Sequence, residues 1–212
     1  MAKRNPTCQQ LRTALDPERL AEQLAYALPR AYSRPALYLF CDGGVVYRRD
    51  KISNKVDSTG PGGWGCAFLL VDEDTSAYLS CLRGNHPNTT NNQMELHAVN
   101  HALLQLKELD DISTGQVRLH IISDSQYVVK GATQWLDGWK ARHFEGVKNL
   151  PYWQQFLLAS QGLKPTWHHC RGHRNAADFP ARSWDKFTAI GNDIADKLAT
   201  LGRLELTSQK SR

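Results

Sequence analysis

The chain has 212 residues, a net charge of +5, 41% apolar residues and six Trp, which excludes a disordered chain, and its basic balance weakly favours a polyanionic partner. No apolar run approaches the roughly 18 residues that span a bilayer, and the polar start MAKRNPTCQQ lacks a signal-peptide core. Five scattered Cys (Cys8, Cys41, Cys66, Cys81, Cys170) form no CxxC pair, so neither a zinc site nor a disulfide framework is expected and a reducing cytoplasm is the simplest setting.

Residues 1–35 read as an N-terminal extension. Asp16-Pro17 supplies an N-cap followed by Pro at the first helical position. Leu20, Leu24 and Leu28 make a short apolar stripe, ended by Pro29 and Pro35, so one short helix is expected. It either packs on the domain surface or docks a partner. From Leu37 the pattern changes. Leu37–Cys41 reads as a buried strand closed by Asp42-Gly43-Gly44, and Gly65–Asp72 and Ala77–Leu82 read as a following hairpin. Asn92 to about Leu109 has helical spacing at Val99, Ala102, Leu103 and Leu106. A fourth strand, Val117–Ile122, runs into Ser123-Asp124-Ser125. Helical stretches follow at Gln126–Gly131, Ala132–Lys140 and Leu150–Ala159, then a short strand at Trp167–Cys170. A polar and aromatic segment leads to a last helix, about Asn192–Leu201, and a tail at 203–212. Three strands followed by alternating helices and strands predict an α/β domain over 36–202, with a mixed sheet flanked by helices.

Four carboxylates stand out. Asp42 and Asp124 close two strands, and in such sheets ligands bind beyond the carboxyl ends. Glu95 lies four residues before Val99, on the stripe that faces the sheet, where an acid is costly unless paired or metal-bound. Asp196 sits among Ile194, Ala195 and Leu198. One such acid is more often a cap or a solvated residue, whereas four suggest a hard-cation site. All-oxygen donors favour Mg²⁺ or Mn²⁺ over Zn²⁺. The residues alone reach a metal-binding α/β domain and leave catalysis open.

Several segments resemble one family. Thr89-Thr90-Asn91-Asn92-Gln93-Met94-Glu95-Leu96 is similar to its TTNN-x-MEL segment, and Ser123–Val128 to its SDSQYV segment. Arg171-Gly172-His173 resembles its GH loop, and Gly191–Ala199 its GN-x-x-AD-x-LA helix. Asp42-Gly43 and Pro61–Gly65 resemble its first hairpin. In this order the motifs identify residues 36–202 as similar to type I ribonuclease H of the bacterial kind. The resemblance implies a ribonuclease H-like fold, a five-stranded mixed sheet of order 3-2-1-4-5. It implies an endonuclease that hydrolyses the RNA strand of RNA–DNA hybrids, leaving 5′-phosphate and 3′-hydroxyl ends, with two Mg²⁺ ions per site and Mn²⁺ as a substitute. The catalytic and metal-binding acids carry over as Asp42, Glu95, Asp124 and Asp196, with Asp193 a nearby decoy. His173 corresponds to a flexible-loop His that helps move protons or release product; the alternative is an ordinary loop His. Asn91, Asn92 and Gln126 match residues that read the minor groove, where the 2′-hydroxyl marks the RNA strand. Thr90 matches a phosphate-pocket residue. Trp135 and Trp139 resemble aromatics near the DNA strand, with a core role as the alternative. The hybrid is the only partner implied; the chain is expected to be a cytoplasmic monomer.

Three departures from the pattern leave the acids intact. The loop at 45–61 is enlarged and carries Arg48, Arg49, Lys51 and Lys55. The stretch Lys140–Lys148 is shorter and less basic than the binding handle of many bacterial members. A long insertion, Arg174–Ile190, follows His173 and mixes Arg174, Arg182 and Lys186 with Phe179, Trp184 and Phe187. Arg182, Trp184 and Lys186 either contact the hybrid or belong to a loop packed on the surface. The competing readings are a hybrid-binding module with little catalysis and a DNA-acting nuclease of the same superfold. Four intact acids speak against the first, because a pure binder gains nothing from carboxylates beside phosphates.

Overall fold

β1 (Ala36–Val45) lies at the centre of the sheet, and its run Ala36–Cys41 is apolar throughout because it is buried on both faces. Leu37, Leu39 and Cys41 enter one core, and Tyr38 and Phe40 enter the other. The computed structural model describes residues 7–32, 35–49, 54, 56–72, 76–107 and 117–209. On one side of β1, β2 (Gly60–Val71) and β3 (Ala77–Thr89) continue the sheet antiparallel. On the other side, β4 (Arg118–Ser123) and β5 (Thr166–His169) run parallel. The order is β3-β2-β1-β4-β5, the ribonuclease H-like order expected.

The helices divide between the two faces. In chain order they are α1 (Cys8–Ala14), α2 (Pro17–Ala27), α3 (Asn91–Leu106), α4 (Gln126–Lys130), α5 (Leu136–Ala141), α6 (Leu150–Ser160) and α7 (Trp184–Gln209). A π-helical turn, Gly131–Trp135, joins α4 to α5. The first core lies under α3 and α6, where Leu96, Val99, Leu103, Trp153 and Phe156 are buried. The second lies under α2 and α7, with Leu20, Leu24, Phe187, Ile190, Ile194 and Leu198. Among the described residues, no helix is long and apolar enough to cross a membrane.

Three segments differ from expectation. The N-terminal extension holds two helices rather than one. Thr7 and Gln10 cap α1 reciprocally, a T-x-x-Q signal visible in the sequence. The strands β2 and β3 reach far beyond the predicted hairpin, to Gly60 and Thr89. The stretch 174–190 is not a long loop. It holds a 3₁₀ turn, Ala176–Asp178, and then α7 begins at Trp184 and runs 26 residues. Ser183 accepts a hydrogen bond from the Lys186 amide at 3.2 Å and starts that helix. Phe187, Ile190, Ile194, Leu198 and Leu201 are all buried at helical spacing, so the period extends back through the supposed insertion. In the enlarged 45–61 loop, Arg49 bridges Val56, while Lys51 and Lys55 lie outside the described residues.

Candidate active site

The last parallel pair between β1 and β4 is Cys41 with Ser123. The next residue on each chain is a carboxylate, so Asp42 and Asp124 leave neighbouring strands at the same level. The expectation that Asp42 closes its strand needs correction: β1 runs on to Val45, paired with β2. What ends at Cys41 is the parallel pairing, and that ending opens the edge on which both acids stand. Glu95 arrives from α3, whose first turn is fixed by Thr90 and Gln93 capping one another. Gly43 allows the approach, because a Cβ there would lie 2.3 Å from the Met94 carbonyl carbon. Any side chain at 43 would hold α3 off the strand. Asp42, Glu95 and Asp124 each thereby present an oxygen within 4.8 Å of the others.

The cluster is electrostatically loaded. Asp42 is buried, and its carboxyl is pushed up to about 8, first by burial and then by the charges of Asp124 and Asp196, against a 2.7 Å hydrogen bond donated by the Gly43 amide. Burial also drives Glu95 well above the carboxylate range, with Asp42 and Asp124 adding repulsion. Its Oε2 is buried with no hydrogen-bond partner among the described residues. A buried acceptor left unpaired costs about 1–3 kcal/mol. Three crowded carboxylates and an orphaned oxygen, with no thiol or imidazole among them, match a hard divalent cation.

Asp196 stands outside the 4.8 Å set and faces it from α7. Burial raises its pKa, Asp193 and Asp124 add to the rise, and His173 opposes it. Close packing of α7 on β1 sets this position: a Cβ at Gly191 would lie 2.1 Å from the Phe40 ring. His173 is exposed, adopts a φ of 54°, and shares a cleft of about 260 Å³ with Asn192 and Asp196. Asp193 is exposed and ion-paired with Lys197. Asn192 is a candidate site residue that sequence reasoning passed over. It is buried, donates to Asp124 Oδ2 at 3.4 Å and accepts from the Cys170 thiol. Its sequence signal was the Gly191-Asn192 pair that opens the GN-x-x-AD-x-LA segment.

The remaining candidates separate by location. Asn91 and Asn92 at the start of α3, and Gln126 at the start of α4, are exposed. The Asn91 side chain accepts from the Val45 amide at 3.0 Å, and the Thr90 hydroxyl caps α3. Trp135 is 37% exposed, whereas Trp139 packs against Trp153 with ring centroids 5.0 Å apart. Arg182, Trp184 and Lys186 do not join the acids. Trp184 stacks on Tyr32 at 4.5 Å, and Arg182 lies over the Tyr26 ring. Twelve helical steps separate Trp184 from Asp196, about 18 Å along the axis.

The RNase H family model matches residues 34–203. The ribonuclease H of Nitrosomonas eutropha is 34% identical over 157 residues, covering 72% of this chain and 86% of that one. That of Albidiferax ferrireducens is 38% identical over 150 residues, covering 68% and 84%. Among solved structures, LC9-RNase H1, a type 1 RNase H with the type 2 active-site motif, superposes with a TM-score of 0.62 at 23% identity, covering 80% of this chain and 72% of that one. LC11-RNase H1, solved in complex with an RNA/DNA hybrid, gives 0.50 at 17% identity, covering 81% and 99%. The structural likenesses bear on the fold.

Proposed function

Because the chain belongs to the RNase H family, we propose that it is a divalent-metal-dependent endonuclease hydrolysing the RNA strand of RNA–DNA hybrids. The observation that carries this is the convergence of Asp42, Glu95 and Asp124 at one sheet edge, with Glu95 Oε2 unpaired. Asp42, Glu95 and Asp124 would hold the cation, with Asp196 at the margin for a second ion. Two Mg²⁺ ions, or Mn²⁺ in their place, would supply a polarised water and charge neutralisation at the phosphodiester when bound. Oxygen from water bonds to phosphorus in line with the departing 3′-oxygen, which leaves as a hydroxyl; the other end keeps a 5′-phosphate.

The chain's own groups set the rest. Asn192 holds the Asp124 carboxylate in place through its amide N–H. His173, beside Asp196 in an open cleft, moves the proton released by the attacking water out to solvent or helps product leave. Asn91, Asn92 and Gln126 form a polar rim on the helix starts next to the acids, suited to 2′-hydroxyls in a wide minor groove. Thr90 can still donate its O–H to a phosphate, since the α3 cap uses only its hydroxyl oxygen as an acceptor.

Matched RNA–DNA, RNA–RNA and DNA–DNA duplexes, incubated with and without Mg²⁺, test the reading. Only the hybrid should be cut, only with metal, and only in its RNA strand. Cleavage of the DNA duplex, or hybrid binding without cleavage in Mg²⁺ and Mn²⁺, would overturn it.

A further inference from the structure

The cleft at His173 and Asp196 does not end there. It shares Arg174, Asn175, Ala189 and Asp193 with a second cleft of about 330 Å³, whose far wall is Arg19 and Gln23 of α2. Arg19, Gln23 and Tyr26 follow one another at helical spacing and so share one face of α2. All three are exposed, Tyr26 at 60%. The helix packs on the domain through a different stripe, Leu20, Ala21 and Leu24, so this face is spare as far as folding is concerned. Tyr26 carries Arg182 over its ring, 5.1 Å from the centroid. Arg174 is held in place by Asp185 at 2.7 Å and by the Phe179 ring at 3.9 Å. Arg19 makes no ion pair among the described residues.

We propose that this face of α2, together with residues 174–182, forms a track for a single-stranded nucleic-acid tail that continues from the hybrid in the active site. The proposal rests on the hybrid-nuclease reading above. Cations interleaved with an exposed aromatic suit a phosphate backbone and a stacked base, and tolerate any sequence. The track is a pair of adjoining clefts, a concave surface that a flexible single strand can follow. It also leaves on the α7 side of the sheet, opposite the polar rim at the starts of α3 and α4 that would meet the duplex. The walls run seven helical steps along α7, from Asp196 back to Ala189, and seven along α2, from Arg19 to Tyr26, each about 10 Å, room for a few nucleotides. The N-terminal extension thereby gains a role: it lengthens the binding surface past the hybrid.

The test compares one hybrid in three forms: blunt, with a single-stranded tail 5′ of the RNA, and with one 3′ of it. For one tail polarity the wild type should show a Michaelis constant lower by on the order of tenfold, about what one stacked base contributes, with turnover unchanged. Arg19→Ala combined with Tyr26→Ala should abolish that advantage and flatten its salt dependence by about one unit in the log–log slope. Blunt-hybrid cleavage and the melting temperature should stay at wild-type values, and Arg19→Lys should keep the advantage. Fluorescence anisotropy with a labelled single strand gives a readout independent of cleavage, and the double variant should weaken that binding too. A wild type indifferent to tails, or a tail advantage that survives the double variant, would overturn the proposal while leaving the hybrid-nuclease reading intact. If no hybrid is cleaved at all, the functional reading fails, and the anisotropy comparison alone decides the track.

Discussion

Asp42→Asn should stabilise the metal-free protein at alkaline pH while abolishing cleavage. The Asp42 carboxyl titrates at about 8 in the fold against 3.8 in a free chain, chiefly through burial and then through Asp124 and Asp196. The folded state therefore binds this proton more tightly than the unfolded one. The associated stability is complete below the unfolded value and is lost as pH rises through the folded one. At about 1.4 kcal/mol per pH unit, the window between the two values sets an upper limit of about 6 kcal/mol. Relaxation of the cluster and water entering beside half-buried Asp124 reduce this to roughly 2–3 kcal/mol. For a domain of this size that is about 5–10 °C in melting temperature. The assay is thermal unfolding followed by circular dichroism in EDTA, at about pH 5 and about pH 8.5, either side of most of the transition. The variant should melt about 5–10 °C above the wild type at the higher pH and close to it at the lower. Mg²⁺ should raise the wild type at the higher pH and the variant far less, because binding to the folded state alone shifts the equilibrium. A variant that melts no higher than the wild type at the higher pH in EDTA would refute the crowded-carboxylate account.

Three further outcomes follow from the same geometry. Asp124→Asn and Asp196→Asn should each cut hybrid cleavage by orders of magnitude in single-turnover assays, whereas Asp193→Asn, which removes only an exposed ion pair with Lys197, should change it little; the reverse ranking of Asp193 and Asp196 would mean the last helix is misassigned. Asn192→Ala should lower turnover by about 10–100-fold, the usual effect of losing a group that orients a metal ligand, and should raise the Mg²⁺ concentration needed for half-maximal rate. Trp184→Ala should lower the melting temperature by several degrees through lost stacking on Tyr32 and Phe187 and leave the Michaelis constant for blunt hybrids unchanged; a raised constant at unchanged stability would place this residue on the substrate after all.

The sequence alone determined the strand and helix order and the five-stranded mixed sheet, and singled out the four acids as candidates, because these signals are written locally. An apolar run ending in Asp, a polar cap before a Glu-bearing helix and a GN-x-x-AD helix all speak without knowledge of distant residues. A local signal was also available for α1 in Thr7 and Gln10, and for the early start of α7 in Ser183 and the buried period from Phe187. Tertiary structure decided what depends on distance. It placed Asp42, Glu95 and Asp124 within 4.8 Å of one another and left Asp196 just outside. It gave Gly43 its reason, since only the docked α3 backbone makes a side chain there intolerable. It turned the supposed insertion into helix and carried Trp184 away from the acids to Tyr32, because an apolar stripe folds toward whatever core its neighbours offer. Composition marks a residue as able to bind a ligand, but the facing elements determine whether its side chain is already used for packing.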